Sequence, residues 1–249
     1  QPFLLLSLSK EDLSLIGTIF TFFLFIFLMP KWFNFRWQIR NSWSTLGLNN
    51  NTILSNILSF SQGIIFASIL LILIFIPLLN SNYIVWLGSL SSEIVINGIL
   101  LTLGIGFAEE IIFRGWLLEE LKLQFGIKVA LISQSIVFSL VHIGFKTPLW
   151  NTLCTLVGLF ILGILCSITR FKDEGSLWGS IGLHGGLVGI WFVLNNGLID
   201  ISKEAPGWLV GYGNPYRNPL GSMYGISILI ISCIFYFLKF KNKIFKFIK

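Results

Sequence analysis

Charge is what this sequence lacks most. Only 11% of its 249 residues are Asp, Glu, Lys or Arg, where a soluble globular domain carries about 25%. With 55% apolar residues and a mean hydropathy of +0.84, an ordinary water-soluble domain and a disordered chain are both excluded. Cysteine is scarce. Cys154, Cys166 and Cys233 lie inside apolar runs without CxxC or Cys/His spacing, so they read as small buried hydrophobes and a disulfide-stapled module is excluded. Histidine is scarcer still, with His142 and His184 alone. No Ser lies in a GxSxG elbow, no Cys pairs with a His by spacing, and HExxH is absent. A covalent nucleophile and the usual helix-borne zinc-protease motif are thereby disfavoured. Neither an internal repeat nor a low-complexity tract occurs.

Long apolar runs are abundant, and 24 Phe and nine Trp add bulky surface that only lipid or a large core accepts. A membrane span needs roughly 20 mostly apolar residues. Seven segments qualify or nearly do: 13–29, 53–79, 93–118, 127–145, 149–169, 177–196 and 222–240. Residues 83–90 are expected to form a short interfacial helix. The expected fold is all-α, a polytopic transmembrane helix bundle of about seven spans (six to eight), with residues 1–249 as a single integral-membrane domain. The chain begins with Gln1 rather than Met, so upstream residues are expected to be missing or to have been removed.

The net charge of +6 follows from topology rather than from a nucleic-acid partner, because the basic residues sit in short loops and a tail. With the first loop inside, Lys31, Arg36, Arg40, Lys122, Lys128, Arg170, Lys172, Lys239, Lys241, Lys243, Lys246 and Lys249 all fall inside. Lys10, Lys146, Lys203 and Arg217 fall outside. Twelve against four predicts an outside N-terminus and a cytoplasmic C-terminus, in the plasma membrane or a thylakoid-type internal membrane. The tail lysines are read as obeying topology rather than as a site for anionic lipid. The connection 197–221, with Pro206, Pro215, Pro219, Trp208, Tyr212 and Tyr216, is long for a compact protein. It reads as an interfacial cap with aromatic anchors, and alternatively as a lid.

Three charges stand where none should. Glu109, Glu110 and Arg114 lie inside the third apolar run. Each costs about 2.5–3.5 kcal/mol at mid-membrane on insertion scales. Together they rival the net stability of a typical fold, so they must be partnered or hydrated. Glu110 and Arg114 are four residues apart and share a helix face. Glu109 is turned about 100° away and is the acid left for another task. A purely structural clasp would need one acid and one base, not a spare acid.

Both histidines also lie within spans, which favours one shared site. Gly126 marks the turn between the third and fourth runs, with Glu110 sixteen residues before it and His142 sixteen after. Two antiparallel helices would hold them at similar depth, roughly 24 Å from the turn. His184 lies nine residues past Gly175, roughly 13 Å into its helix. It reaches that depth only if the third helix runs beyond the bilayer, which the polar stretch Glu119-Glu120-Leu121-Lys122 allows. Gly185 and Gly186 would let a neighbouring helix or a substrate backbone approach His184.

A carboxylate and two imidazoles in a dry setting suit the activation of water. Low dielectric brings a Glu toward the range where it works as a base. One His can orient the water or bind a metal, and the other can donate to the oxyanion of an attacked amide. Peptide hydrolysis by an activated water fits best, although the same chemistry would serve a proton-coupled transporter. The lack of a repeat and of paired broken helices weighs against that alternative.

The runs Glu109-Glu110-Ile-Ile-Phe113-Arg114 and Phe138-Ser-Leu-Val-His142, followed by His184, resemble the three-motif signature EExxxR, FxxxH and HxxxN/D of the CAAX-protease and bacteriocin-processing intramembrane proteases. The motif-bearing core spans about 95–196. The resemblance implies a helix bundle with a site buried in the membrane. It further implies Glu109 as the base, with Glu110 and Arg114 as its supporting pair. His142 would position the water or a metal, and His184 would stabilise the oxyanion or ligate a metal. The cofactor so implied is a divalent ion such as zinc held by Glu109, His142 and His184. Phe138 would pack beside His142. The segment from Gly175 through Gly186, with the Pro/Gly-rich connection after it, resembles more loosely the cyanobacterial and plastid branch. The partners implied are membrane lipid, a peptide or membrane-protein substrate, and in that branch a larger membrane complex. Four residues after His184 stands Val188 in place of Asn or Asp, and Val cannot donate or ligate. Asn195, eleven residues on, would be about 16 Å away. Loss of an oxyanion donor costs roughly 10²–10³ in rate. The second reading is therefore a non-catalytic descendant, a scaffold or assembly factor.

Overall fold

The computed structural model of the chain describes residues 10–49, 52–142, 149–211 and 219–248. Its contacts divide into two units, Gln1–Thr45 and Leu46–Lys249. The first contains helix α1 (Lys10–Trp37), which continues through Pro30. Helix α2 (Ser42–Leu46) straddles the boundary. Phe20, Phe23 and Phe27 of α1 are exposed, a face that water would penalise and lipid accepts.

The second unit begins its long helices with α3 (Ile53–Leu79), whose first turn is capped by Thr52 Oγ1 accepting from the Ser55 amide at 3.3 Å. Its 27 residues reach about 40 Å, enough to cross a hydrocarbon core of about 30 Å with some tilt. Helix α4 (Ser92–Glu110) starts on a Ser91 cap and passes into a π-helical stretch (Ile111–Leu117) and then α5 (Leu118–Val141). That 50-residue run is apolar enough to cross a membrane. It does not run straight. Gly126 has φ 77° and ψ 165°, which no helical residue adopts and which Gly tolerates without a Cβ clash. The chain reverses there, and Phe113 packs edge-on against Phe138 at 5.1 Å. α4 and α5 therefore form the antiparallel hairpin that the equal spacing about Gly126 predicts.

Helix α6 (Leu149–Lys172), α7 (Trp178–Val193) with a π-helical end (Leu194–Leu198), and α9 (Met223–Ile248) complete the long elements. Among the described residues, six helices can span a membrane by length and composition, counting the hairpin run once. The expected bundle of about seven spans is thus an all-α bundle of six candidate helices, one of them folded back on itself.

α7 is the central element. Almost every residue from Gly179 to Gly189 is buried. It is able to sit between α3 and α4 because its facing residues are small. A Cβ added at Gly185 would run into the Thr102 carbonyl of α4, and one at Gly186 would lie 2.9 Å from Cβ of Ala67 on α3. Both glycines thus admit neighbouring helices, and the space next to His184 that a substrate backbone could have used is filled by them. Small residues at such seams let backbones touch, so dispersion replaces the hydrophobic drive that lipid cannot supply. The main core combines Leu70 and Leu78 of α3, Leu162 and Leu165 of α6, Leu183 and Leu187 of α7, Phe138 and Leu229.

Residues 83–90 depart from expectation. Instead of a helix, Ile84–Trp86 is a strand, β1, paired antiparallel with β2 (Ile199–Ile201), with Val85 opposite Asp200. Its partner comes from a segment more than 110 residues away, and the pairing satisfies amides that a three-residue β-branched and aromatic run would not place in a helix. The long connection therefore carries structure: β2, a short helix α8 (Gly207–Val210) and a 3₁₀ turn (Pro219–Gly221). Trp208 is exposed within it. Tyr212, Pro215, Tyr216 and Arg217, like Lys146 and Lys249, lie outside the described residues.

Arg170 and Lys172, assigned by charge to an inside segment, are buried in the last turn of α6. Lys172 pairs with Asp173 at 3.0 Å and lies over the rings of Tyr236 and Phe240. Burial raises the Asp173 carboxyl above its ordinary value, a shift that Lys172 beside it partly offsets.

Candidate functional site

Glu109 and Glu110 close α4, and Arg114 lies in the π-helical stretch that follows. A π turn is rare and recurs at functional sites, where it re-aims side chains. Glu110 and Arg114 keep the pairing that their spacing predicts: Arg114 Nη1 donates to Glu110 Oε1 at 2.8 Å, and neither side chain is exposed to any degree. Arg114 also stacks on Phe138, its guanidinium carbon 4.1 Å from the ring centroid. Phe138 in turn packs against both imidazoles, at 4.6 Å from His142 and 5.5 Å from His184. One fully buried ring is thus the common wall of the site.

The two imidazoles converge on Glu109. His142 Nε2 lies 3.1 Å from Glu109 Oε2, and His184 Nε2 lies 3.8 Å from the same oxygen. His184 Nδ1 is 2.9 Å from Glu110 Oε1. His142 Nδ1 is 2.6 Å from the Phe138 carbonyl. The expectation that three distant stretches of chain assemble around one carboxylate matches the geometry. The helix from α4 runs on past Glu119 to Gly126 before turning, and His184 stands level with Glu110.

Hydrogen-bond chemistry fixes the roles of the ring nitrogens. A carbonyl oxygen can only accept, so His142 Nδ1 donates to Phe138 and carries a proton. The Nε2–Oε2 contact with Glu109 then holds one further proton, on one partner or the other. Glu110 Oε1, which also pairs with Arg114, accepts from His184 Nδ1, and this turns Nε2 of the same ring toward Glu109. Glu109 and His142 are the accessible members, with side chains 27% and 28% exposed, whereas Glu110, Arg114 and His184 are buried. The acid with room to act is therefore Glu109.

The donor types, two imidazoles whose Nδ1 atoms are each held by an acceptor and one carboxylate, would suit a divalent ion such as zinc. Among the described residues, however, no three His, Cys, Asp or Glu side chains cluster as metal ligands. Glu109 and His142 instead meet at hydrogen-bond distance, and no step below is routed through a metal.

Residues 91–190 match the family model of type II CAAX prenyl endopeptidase Rce1-like proteins. Over that stretch the chain is similar to the CAAX-protease family. The matched region contains the first two motifs and His184 of the third. Residues 1–41 match a second family, described as a domain of unknown function. No curated protein and no solved structure matches the chain.

The third motif is where this chain departs from that family's pattern. Val188, one turn beyond His184 on α7, is half-buried and brings no polar atom. Asn195 is in the π-helical end of α7, exposed, and takes no part in the cluster.

Two polar groups near the site were not legible in the sequence. Arg170 of α6 is 1% exposed and bonds to the backbone carbonyl of Arg114. Its charge is met by Glu119 Oε1 at 3.1 Å from Nη2. Gln134 of α5 reaches Ser167 Oγ of α6 at 2.9 Å and pins that pair of helices. A basic residue in the last turn of an apolar helix reads as a snorkelling charge, and Glu119, the acid that receives Arg170, already has Lys122 three residues on, at 3.2 Å.

Proposed function

We propose that this protein is an intramembrane endopeptidase that hydrolyses a peptide bond with a water activated by Glu109. The convergence of both imidazoles on the one accessible buried-site carboxylate supports that reading, together with the family match over 91–190. In the working state the shared proton rests on His142. Glu109, ionised, takes a proton from the water as its oxygen attacks the carbonyl carbon. His184 Nε2, with its lone pair facing Glu109, accepts the water's other hydrogen and orients it. His142, protonated on both nitrogens, donates to the developing oxyanion and then yields its proton to the leaving amine. Glu109 passes its proton back to His142 as product leaves. This assignment exchanges the tasks that the resemblance implies for the two imidazoles. Glu110 and Arg114 hold His184 and do not touch the reacting atoms.

The substrate is a peptide or the membrane-proximal part of a membrane protein, and a prenyl group on it is not required. The chain resides in a plasma membrane or thylakoid-type internal membrane, N-terminus outside and C-terminus cytoplasmic. The test is cleavage of a peptide library, prenylated and not, by the purified protein in liposomes. Glu109→Ala, Glu109→Gln and His142→Ala should each lose at least 10²-fold in kcat. Equal cleavage by wild type and all three refutes the assignment.

Val188 supports a second reading, in which the site is kept for structure and the protein serves as a scaffold or assembly factor in a larger membrane complex. That reading predicts a partner that co-purifies from native membranes and is retained by Glu109→Gln.

A further inference from the structure

We propose that Arg170 is a positioning residue: its guanidinium fixes α7, and with it His184, against the segment carrying Glu109, Glu110 and Arg114. The inference deepens and rests on the reading of those groups as one hydrolytic site.

Arg170 is a charge buried where topology alone would have let it snorkel outward. Burying a guanidinium is costly unless its donors are met. Each of its three nitrogens meets a different segment. Nε donates to the Gly175 carbonyl at 3.0 Å, Nη1 donates to the Arg114 carbonyl, and Nη2 pairs with Glu119 at 3.1 Å. The first of these is the turn that launches α7, the second is the π-helical stretch, and the third is the first turn of α5.

The bond to Gly175 is reciprocal. The Gly175 amide donates to the Arg170 carbonyl at 2.9 Å while the side chain binds the Gly175 carbonyl. Gly175 has φ 94°, a conformation that favours glycine, so the turn is set tightly. His184 follows nine residues later, about 13 Å along α7. On the other side Arg114, whose carbonyl Arg170 binds, holds Glu110 by its own side chain. The short path from Arg170 through Arg114 to Glu110, and from Arg170 through Gly175 along α7 to His184, closes on the Glu110–His184 contact. Releasing Arg170 removes the tie at that end of the loop and leaves the two sides held by the α4–α7 seam.

The chain's two histidines make the inference testable without reference to turnover. Full-length protein labelled with ¹⁵N-histidine in detergent micelles gives two imidazole spin systems, assigned by His142→Gln. In Arg170→Gln the His184 ring signals should shift or broaden. Arg170→Lys, which keeps the charge but not the fork, should recover part of the wild-type position. Ser167→Ala, buried one turn earlier on α6, controls for loosened packing and should leave His184 unmoved. In the cleavage assay kcat of Arg170→Gln should fall roughly 10–100-fold with KM unchanged. A folded Arg170→Gln whose His184 signals coincide with wild type overturns the proposal. Should Arg170→Gln fail to fold, Glu119→Gln, which withdraws one of the three partners, is judged by the same signals. A wild-type protein that cleaves nothing refutes the hydrolytic reading, and the imidazole spectra alone then decide the role of Arg170.

Discussion

Replacing Gly185 by Ala adds one methyl group at the tightest seam of the molecule. That carbon would meet the Thr102 carbonyl oxygen in direct overlap, the Thr102 carbonyl carbon at 2.9 Å and Gly106 Cα at 3.3 Å. All three are backbone atoms, so no side-chain rotation relieves the contact and α4 must move off α7. Overpacking of this kind costs about 1–3 kcal/mol. At roughly 2–4 °C per kcal/mol for a chain of this size, thermal unfolding should fall by about 2–12 °C. The same displacement acts on the site, because Gly185 adjoins His184 and Thr102 lies two turns before Glu109 and Glu110. A shift approaching 1 Å at such contacts costs on the order of 10²-fold in rate. Gly104, also on α4, has nothing within 4 Å of an added Cβ. Gly104→Ala should be neutral or up to about 1 kcal/mol stabilising, since alanine favours the helix. The assay is tryptophan-fluorescence unfolding in detergent, paired with peptide cleavage. Gly185→Ala unfolding with wild type, or Gly104→Ala costing as much as Gly185→Ala, would show that backbone contact does not set the α4–α7 distance.

Removing one partner of the buried Glu110–Arg114 pair should be worse than removing both. Arg114→Met alone should cost about 3–5 kcal/mol, because Glu110 keeps only His184, and the double variant Glu110→Gln/Arg114→Met should cost less; strict additivity in denaturation would contradict the pairing. Val188→Asn should raise kcat by up to roughly 10²-fold if an oxyanion donor is what position 188 lacks, and an unchanged rate in an active enzyme means that another group already fills that role. Asp173, raised by burial, holds its proton more tightly folded than unfolded, so its contribution to stability is full below its unfolded value and is lost as pH rises through its folded one. The stability of wild type relative to Asp173→Asn should therefore grow as pH falls through that window, and a pH-independent difference in unfolding midpoint would contradict it.

Much of the molecule could be read before its shape was known, for reasons that differ by element. The apolar run 53–79 coincides with α3 because a long lipid-facing helix is specified by local hydropathy alone. The hairpin was readable because a glycine and two equidistant polar residues fix both the turn and the depth. Glu110 and Arg114 meet because helical spacing is local, and even a π turn does not part them. What escaped was set by partners far along the chain. Ile84–Trp86 became a strand only because Ile199–Ile201 lies beside it. Arg170 and Lys172 resemble topological charges until Glu119 and Asp173 are seen to receive them. His184 was placed in the right cluster, but its bond to Glu110 rather than to Glu109 depends on how far α7 is rotated, which no spacing rule states.

The β1–β2 pair has a mechanical meaning. It ties the chain just ahead of α4 to the chain just after α7, while Arg170 ties the other ends of the same two elements. Glu109, Glu110, Arg114 and His184 thus ride on a frame braced at both ends. His142 does not, for it stands at the end of α5, joined to the rest of the cluster by Phe138 and by Glu109. The shared proton therefore sits between the braced frame and a separate helix, so its position registers the spacing of the two.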